Sequence, residues 1–138
     1  ILNLAAGNAE RHGVSERIAL RLGSLFQPLA EGERFQVICS NPPYIPDDEW
    51  EAVHANVKDY EPTRALRGGA DGLAVVRPLI VGSTSWLTDD VMLAVEIAAK
   101  TAEDVVELAR ANGFAHVQIL NDHEDLPRVL LAHRTDEA

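Results

Sequence analysis

A single cysteine, Cys39, is all that this 138-residue sequence contains. That excludes a disulfide framework and any multi-cysteine metal site. No apolar run approaches the ~18 residues of a membrane-spanning helix, so no membrane partner is expected. The first residues show no basic-then-apolar leader, so export is not expected and a cytoplasmic location is. Positive charge is scarce: 12 Lys and Arg stand against 22 Asp and Glu, a formal charge of −10. Such a surface repels polyphosphate, which argues against direct nucleic-acid binding and suits a protein or small-molecule partner. His12, His54, His116, His123 and His133 have no metal-ligand spacing, so no metal is expected. Ser83 to Ser85 lack the Gly-x-Ser-x-Gly elbow of a hydrolase nucleophile. Gly68-Gly69-Ala70-Asp71-Gly72 lacks the Lys-Ser/Thr of a phosphate loop and reads as a turn with a helix start.

What is present is ordinary globular composition, 46% apolar and 25% charged, in a length that fits one domain or part of one. Residues 1–12 carry helical spacing and stop at Gly13. Arg17 to Leu22 is a short strand candidate. Phe35 to Ser40 is a compact apolar run that reads as a buried parallel strand, with Cys39 as a core thiol. Residues 45–70 form a long loop with a short helix near Asp48 to Asn56, and loops of that length are usually functional. Asp71 is placed to cap a helix reaching Trp86, with Pro78 expected to kink or restart it. Val91 to Ile97 is a second buried strand. Thr101 to Asp104 resembles a capping box opening a helix that closes at Asn112-Gly113. Phe114 to Leu120 and Arg128 to His133 read as an antiparallel pair. Trp50 and Trp86 read as packing residues.

Alternating helices and strands imply an α/β sheet, in which ligands bind beyond the carboxyl ends of strands. Ser40-Asn41-Pro42-Pro43-Tyr44 occupies that place. Two prolines fix φ near −65° and remove two backbone donors, so the Asn41 and Pro42 carbonyls are held without a local partner. Asn41 adds a side-chain oxygen and Tyr44 a flat ring. Convergent acceptors beside a ring make a receptacle for a planar group bearing NH₂, an amide or a base amine. Accepting both hydrogens favours the nucleophilic form of that nitrogen, and the fixed dipoles stabilise the positive charge it gains in the transition state.

Asn-Pro-Pro-Tyr after such a strand resembles the amino-group methyltransferases that use S-adenosylmethionine, a group that includes DNA methyltransferases. Asp59-Tyr60-Glu61-Pro62, Ala65-Leu66 and Gly68-Gly69-Ala70-Asp71-Gly72-Leu73 closely resemble the HemK family. Its members methylate the glutamine of the Gly-Gln-Gly motif in peptide chain release factors, with a ribosomal-protein branch. Leu2, Ala5, Asn8 and Ala9 match the helix after the family's second strand. Glu96 matches an acidic residue ending the fifth strand, and Asp122 and Arg128-Val129 match the closing hairpin.

The resemblance implies a Rossmann-like methyltransferase sheet with helices on both faces and a C-terminal antiparallel hairpin. It implies protein-glutamine N5-methyltransferase activity in translation termination, with S-adenosylmethionine as cofactor and a release factor as partner. Asn41, Pro42 and Tyr44 would be catalytic. Asn41, Pro42, Pro43, Tyr44 and Glu61 would hold the amide, with Glu61 ordering the covering loop. Ser24, Leu25 and Asn41 would contact the cofactor, although Ser24 stands where an aspartate is usual. Ala98 likewise replaces a usual glycine. A nucleic-acid amino-methyltransferase and a non-catalytic relic remain the alternatives.

The opening helix lacks a capping residue, so residues 1–138 read as a partial catalytic domain. The family's first two strands, glycine-rich loop, ribose-binding acid and N-terminal helical domain would precede Ile1. Without those strands the one at Arg17 to Leu22 has no link to Phe35 to Ser40. Each orphaned polar group costs ~1–3 kcal/mol, against a total stability of ~5–15 kcal/mol. The segment is therefore expected to need those strands to reach its native fold.

Overall fold

The Leu2–Arg11 helix, α1, ends as its sequence requires. Gly13 takes φ +66, and the His12 and Val14 amides bond back to the Asn8 and Ala9 carbonyls at 3.0 and 2.9 Å. The computed structural model describes residues 1–134, without the side chains of residues 89–91. The chain divides into two units, Ile1–Glu33 and Arg34–Ala138.

In the first unit, the strand expected at Arg17 to Leu22 does not form. A short 3-10 turn covers Ser15–Arg17, and Ile18 is extended at φ −123, ψ 123. Alternation of Ile18, Leu20 and Leu22 sets an extended backbone. A strand also needs a neighbour for its ladder, and none among the described residues pairs with it. Those three side chains are 46%, 42% and 86% exposed. The following loop is tied by Arg21, whose guanidinium grips both carboxylate oxygens of Glu33, while the Ala30 amide donates to Glu33 Oε2 at 2.6 Å. These donors hold the Glu33 pKa down to about 2.

The second unit is built on a four-stranded sheet: β1 (Phe35–Ser40), β2 (Leu87–Glu96), β3 (His116–Asn121) and β4 (Pro127–His133), in the order β1-β2-β4-β3. β1 and β2 are parallel, with Ser40 opposite Val95; β4 is antiparallel to both β2 and β3. The hairpin turn is fixed by Asp122, whose Oδ1 accepts the Glu124 and Leu126 amides at 2.9 and 3.1 Å. Two helices, α3 (Val76–Ser83) and α4 (Ala102–Ala111), touch each other and pack on the sheet; the shorter α2 (Ala55–Tyr60) lies in the long loop.

Period-two alternation puts Leu93, Val95, Leu130 and Ala132 on one sheet face, and all four are fully buried. Helical spacing brings Val76 and Ile80 of α3, and Val105 and Ala109 of α4, into the same core beside Phe114. Each large side chain buried this way contributes ~1.5–3 kcal/mol.

Three local expectations are corrected. Among the described residues β1 is an edge strand, with Val37 51% exposed and Cys39 exposed rather than a core thiol. Asp71 accepts the Leu73 amide at 2.9 Å in an Asx turn but does not cap α3, which starts only at Val76 with Val75 as its N-cap. Pro78 lies in the first turn of α3, and its missing N–H falls between two i→i−4 bonds, Arg77 N–H to Leu73 O at 2.8 Å and Leu79 N–H to Val75 O at 3.2 Å, so the regular helix starts only at Val76. Thr101 is the N-cap of α4 without a capping box; its hydroxyl donates to the Ala98 carbonyl at 3.0 Å.

Candidate functional site

β1 delivers Asn41 at its carboxyl end, beside the end of β2, because Ser40 is in register with Val95. Asn41 is exposed, Pro42 is buried, and Pro43 and Tyr44 are half-buried. Two prolines in succession leave this corner little freedom. Among the described residues no amide or side-chain donor bonds to the Asn41 or Pro42 carbonyl. Asn41, Pro42, Pro43 and Tyr44 line one cavity of about 250 Å³, together with Ile45, Glu61, Ala65 and Leu66. The sequence-predicted acceptor residues thus share one hollow. Ser24 and Leu25 belong to the other unit. There the Ser24 carbonyl accepts the Gln27 amide at 3.1 Å, and Leu25 holds a left-handed φ of 50 with its side chain 40% exposed. A wider hollow of about 580 Å³ lies on α3 and α4, lined by Asp71, Arg77, Asp104 and Glu107, and contains none of the predicted residues.

The wall opposite the corner comes from the long loop, which is closed at its base. Ile45 and Arg67 form a parallel bridge, with Ile45 N–H to Leu66 O at 2.9 Å and Gly68 N–H to Ile45 O at 2.7 Å. Asp47 N–H adds a third bond to Gly69 O at 3.0 Å. Two glycines make this possible. A Cβ at Gly68 would stand 2.6 Å from the Gly72 carbonyl oxygen, and one at Gly72, where φ is +76, would stand 2.6 Å from that of Tyr44. The proline corner and the glycine segment are therefore one packed structure, backbone against backbone.

Within the loop, Trp50 is held between two cations, with Arg67 at 5.4 Å and Lys58 at 5.9 Å from its ring centroid. Arg67 also grips Asp47 Oδ1 through Nε at 3.0 Å and Nη2 at 2.8 Å. Trp50 is thus a packing residue, as its sequence context suggested. Glu61 ends α2, is exposed, and borders the cavity. Its neighbour Tyr60 is 84% exposed.

Behind the corner stands a polar group that sequence reasoning left without a role. The Tyr44 hydroxyl donates to Glu96 Oε1 at 2.8 Å. Glu96 ends β2, one residue past the Ser40–Val95 pair. Arg128, on β4, acts on the same hydroxyl. It is clamped by Asp122 Oδ2 through Nε at 3.0 Å and Nη2 at 2.9 Å. Burial first, then Glu96, pushes the Tyr44 phenol above its ordinary pKa, while Arg128 pulls it down. The Leu126 amide first, then Arg128, lowers the Asp122 carboxyl. The signal available in the sequence was the one carboxylate within the apolar run Val91 to Ile97, near the end where ligands bind.

Such an arrangement offers two outward carbonyls, an amide oxygen and an aromatic wall to a small planar guest, with no metal-ligating cluster among the described residues. No helix is long and apolar enough to cross a membrane among those residues.

No protein-family model matches the chain. Curated proteins do. The release factor glutamine methyltransferase of Geobacter sulfurreducens is 41% identical over 127 residues, 92% of this chain and 44% of its own length. That of Gloeobacter violaceus is 36% identical over 133 residues, covering 96% and 46%. That of Moorella thermoacetica is 36% identical over 137 residues, covering 99% and 48%. The chain thus spans about half the length of the curated relatives it matches. Among solved structures, a ribosomal protein L11 methylase from Lactobacillus delbrueckii subsp. bulgaricus superposes with a TM-score of 0.62 at 19% identity. The match takes in 98% of this chain and 53% of that one and shows the fold, that of a methyltransferase. The resemblance drawn from the two motifs is borne out by these relatives.

Proposed function

We propose that this chain, homologous to about half of the release factor glutamine methyltransferases, supplies the methyl-acceptor site of a protein-glutamine N5-methyltransferase. The acceptor is the side-chain amide of the Gly-Gln-Gly glutamine in a peptide chain release factor, in the cytoplasm. The observation that supports this most is the cavity beside β1, where Asn41 and Pro42 present acceptors with no donor among the described residues.

Asn41 Oδ1 and the Pro42 carbonyl accept the two amide hydrogens. Pro43 stiffens the corner, Tyr44 packs on the amide plane, and Glu61 orders the loop above it. The amide nitrogen is normally a poor nucleophile because its lone pair is delocalised. Fixed acceptors favour its pyramidal form and stabilise the charge that builds as it attacks. Holding it in line removes most of the entropic barrier.

S-adenosylmethionine, when bound, supplies the electrophilic methyl. Asn41 offers such a group an exposed amide in the second unit; within the first unit, taken by itself, Leu25 has an exposed apolar side chain and Ser24 a hydroxyl. The nitrogen–carbon bond forms as the carbon–sulfur bond breaks, giving S-adenosylhomocysteine. The proton leaves the nitrogen for water.

Labelled methyl transfer by the intact protein tests this. A release-factor fragment with Gly-Gln-Gly should be labelled, and one with Gly-Glu-Gly should not. Label on DNA alone would replace the reading with a nucleic-acid amino-methyltransferase. Label on neither substrate, with no S-adenosylhomocysteine binding by calorimetry, would replace it with the non-catalytic alternative.

A further inference from the structure

The Tyr44 hydroxyl is a side-chain polar atom of the corner that the transfer step does not use. A phenol at a reaction centre commonly gives or takes a proton. Here its proton is committed to Glu96 Oε1 at 2.8 Å. Asp122 holds Arg128 through two hydrogen bonds, and the Arg128 charge favours the ionised phenol. Glu96 and Arg128 are brought to this point by the sheet itself. Glu96 lies opposite Val129 in the antiparallel β2–β4 pair, and the Arg128 carbonyl accepts the Ile97 amide at 2.9 Å. Arg128 is therefore near Glu96 on the neighbouring strand, and Glu96 reaches the loop that leaves β1. Tyr44 thus lines the cavity while its hydroxyl is anchored on Glu96.

We propose that Glu96 and Arg128 are positioning residues that hold Tyr44 as a fixed wall of the amide cavity and withhold its hydroxyl from proton transfer. This rests on the glutamine-methyltransferase reading for its kinetic consequence, though not for its geometry. A ring free to swing would leave the amide plane unsupported, and a misplacement near 1 Å costs ~10²-fold in rate. Asp122 completes the set by fixing Arg128, so a turn residue of the hairpin acts on the acceptor pocket at two removes.

Two measurements on the intact protein test this. The first is the ultraviolet titration of the Tyr44 phenol, taken as the difference from Tyr44→Phe. Glu96→Gln should lower the midpoint and Arg128→Gln should raise it, opposite shifts that a general loss of structure does not produce. Midpoints unmoved in both variants, or moved in the same direction, overturn the clamp. The second is transfer of labelled methyl to a Gly-Gln-Gly release-factor fragment. Glu96→Ala should lower kcat at least about tenfold with KM for S-adenosylmethionine unchanged. Glu96→Gln, which keeps the acceptor and the shape, should restore most of the rate and folds whether or not the alanine variant does. Glu96→Gln as slow as Glu96→Ala, or a KM effect without a kcat effect, overturns the positioning role. A parent protein that methylates no glutamine sinks the proposed function, and the titration then still decides the clamp.

Discussion

Alanine at Gly72 would strike the acceptor corner from behind. Gly72 sits at φ +76, where an L side chain costs roughly 1–2 kcal/mol. The new Cβ would also stand 2.6 Å from the Tyr44 carbonyl oxygen, 0.8 Å inside the 3.4 Å at which ordinary contact begins. Pro46 Cγ at 3.1 Å closes the nearest escape. The obstacle is backbone, so relief requires the corner or the glycine segment to shift by most of that distance. Overpacking of this kind costs typically ~1–3 kcal/mol. Gly13→Ala is the control: its φ is +66 and nothing lies within 4 Å of the added methyl. The expected losses are therefore roughly 1–2 kcal/mol for Gly13→Ala and roughly 2–5 kcal/mol for Gly72→Ala. Urea unfolding of the intact protein measures both, provided the slope m is unchanged between variants. If the displacement reaches the corner, kcat for glutamine methylation falls toward ~10²-fold. Equal destabilisation of the two variants, within about 0.5 kcal/mol, would refute the close-packing argument, since surface changes fall in that range.

Asn41→Ala should lower methyl transfer to the Gly-Gln-Gly fragment by ~10²–10³-fold, as loss of one fixed polar group at a reacting centre does. Because Asn41 is exposed, its melting temperature should barely move, and an unfolded variant would expose a structural role instead. Pro78→Ala should change stability by well under the ~3 kcal/mol that relief of an interior proline brings; a large gain in melting temperature would place Pro78 inside the helix. Glu33→Gln should destabilise at neutral pH. Glu33 is held to about 2 from an ordinary value of 4.5, so its contribution is present above about 4.5 and disappears as pH falls toward 2. Melting temperatures of parent and variant should converge over that window, and a gap that persists at low pH would contradict the Arg21 pairing.

Elements written by local chemistry were legible in the sequence. Phe35 to Ser40 emerged with its limits intact because an apolar run stops at two prolines. α1 and α4 ended at Gly13 and Gly113, both with positive φ. The hairpin followed from two apolar runs flanking a polar turn. Features decided by partners were not legible. Ile18, Leu20 and Leu22 carry strand alternation, yet no ladder forms among the described residues. Cys39 lies in a strand that reads as buried and stands exposed, because burial depends on the place of a strand in its sheet. Asp71 was misread as the cap because helix α3 starts five residues after it, beyond an Asx turn that periodicity does not reveal. At the site, the residues of one loop corner were found together. Their bond to Glu96 was missed because it joins residues 52 apart in sequence.

The bridge between Ile45 and Arg67 separates what the corner does from what the intervening chain reaches. A segment stapled at its base can grow or shrink without pulling on Asn41 or Tyr44, and doubling its length adds only ~0.6 kcal/mol of closure entropy. On the proposed reading, choice of macromolecular acceptor can be rewritten in residues 48–60, which lie outside the cavity lining, while the Asn41 to Tyr44 corner stays as it is. Grafting that stretch from a related enzyme is, on this view, a transplant of address and not of chemistry.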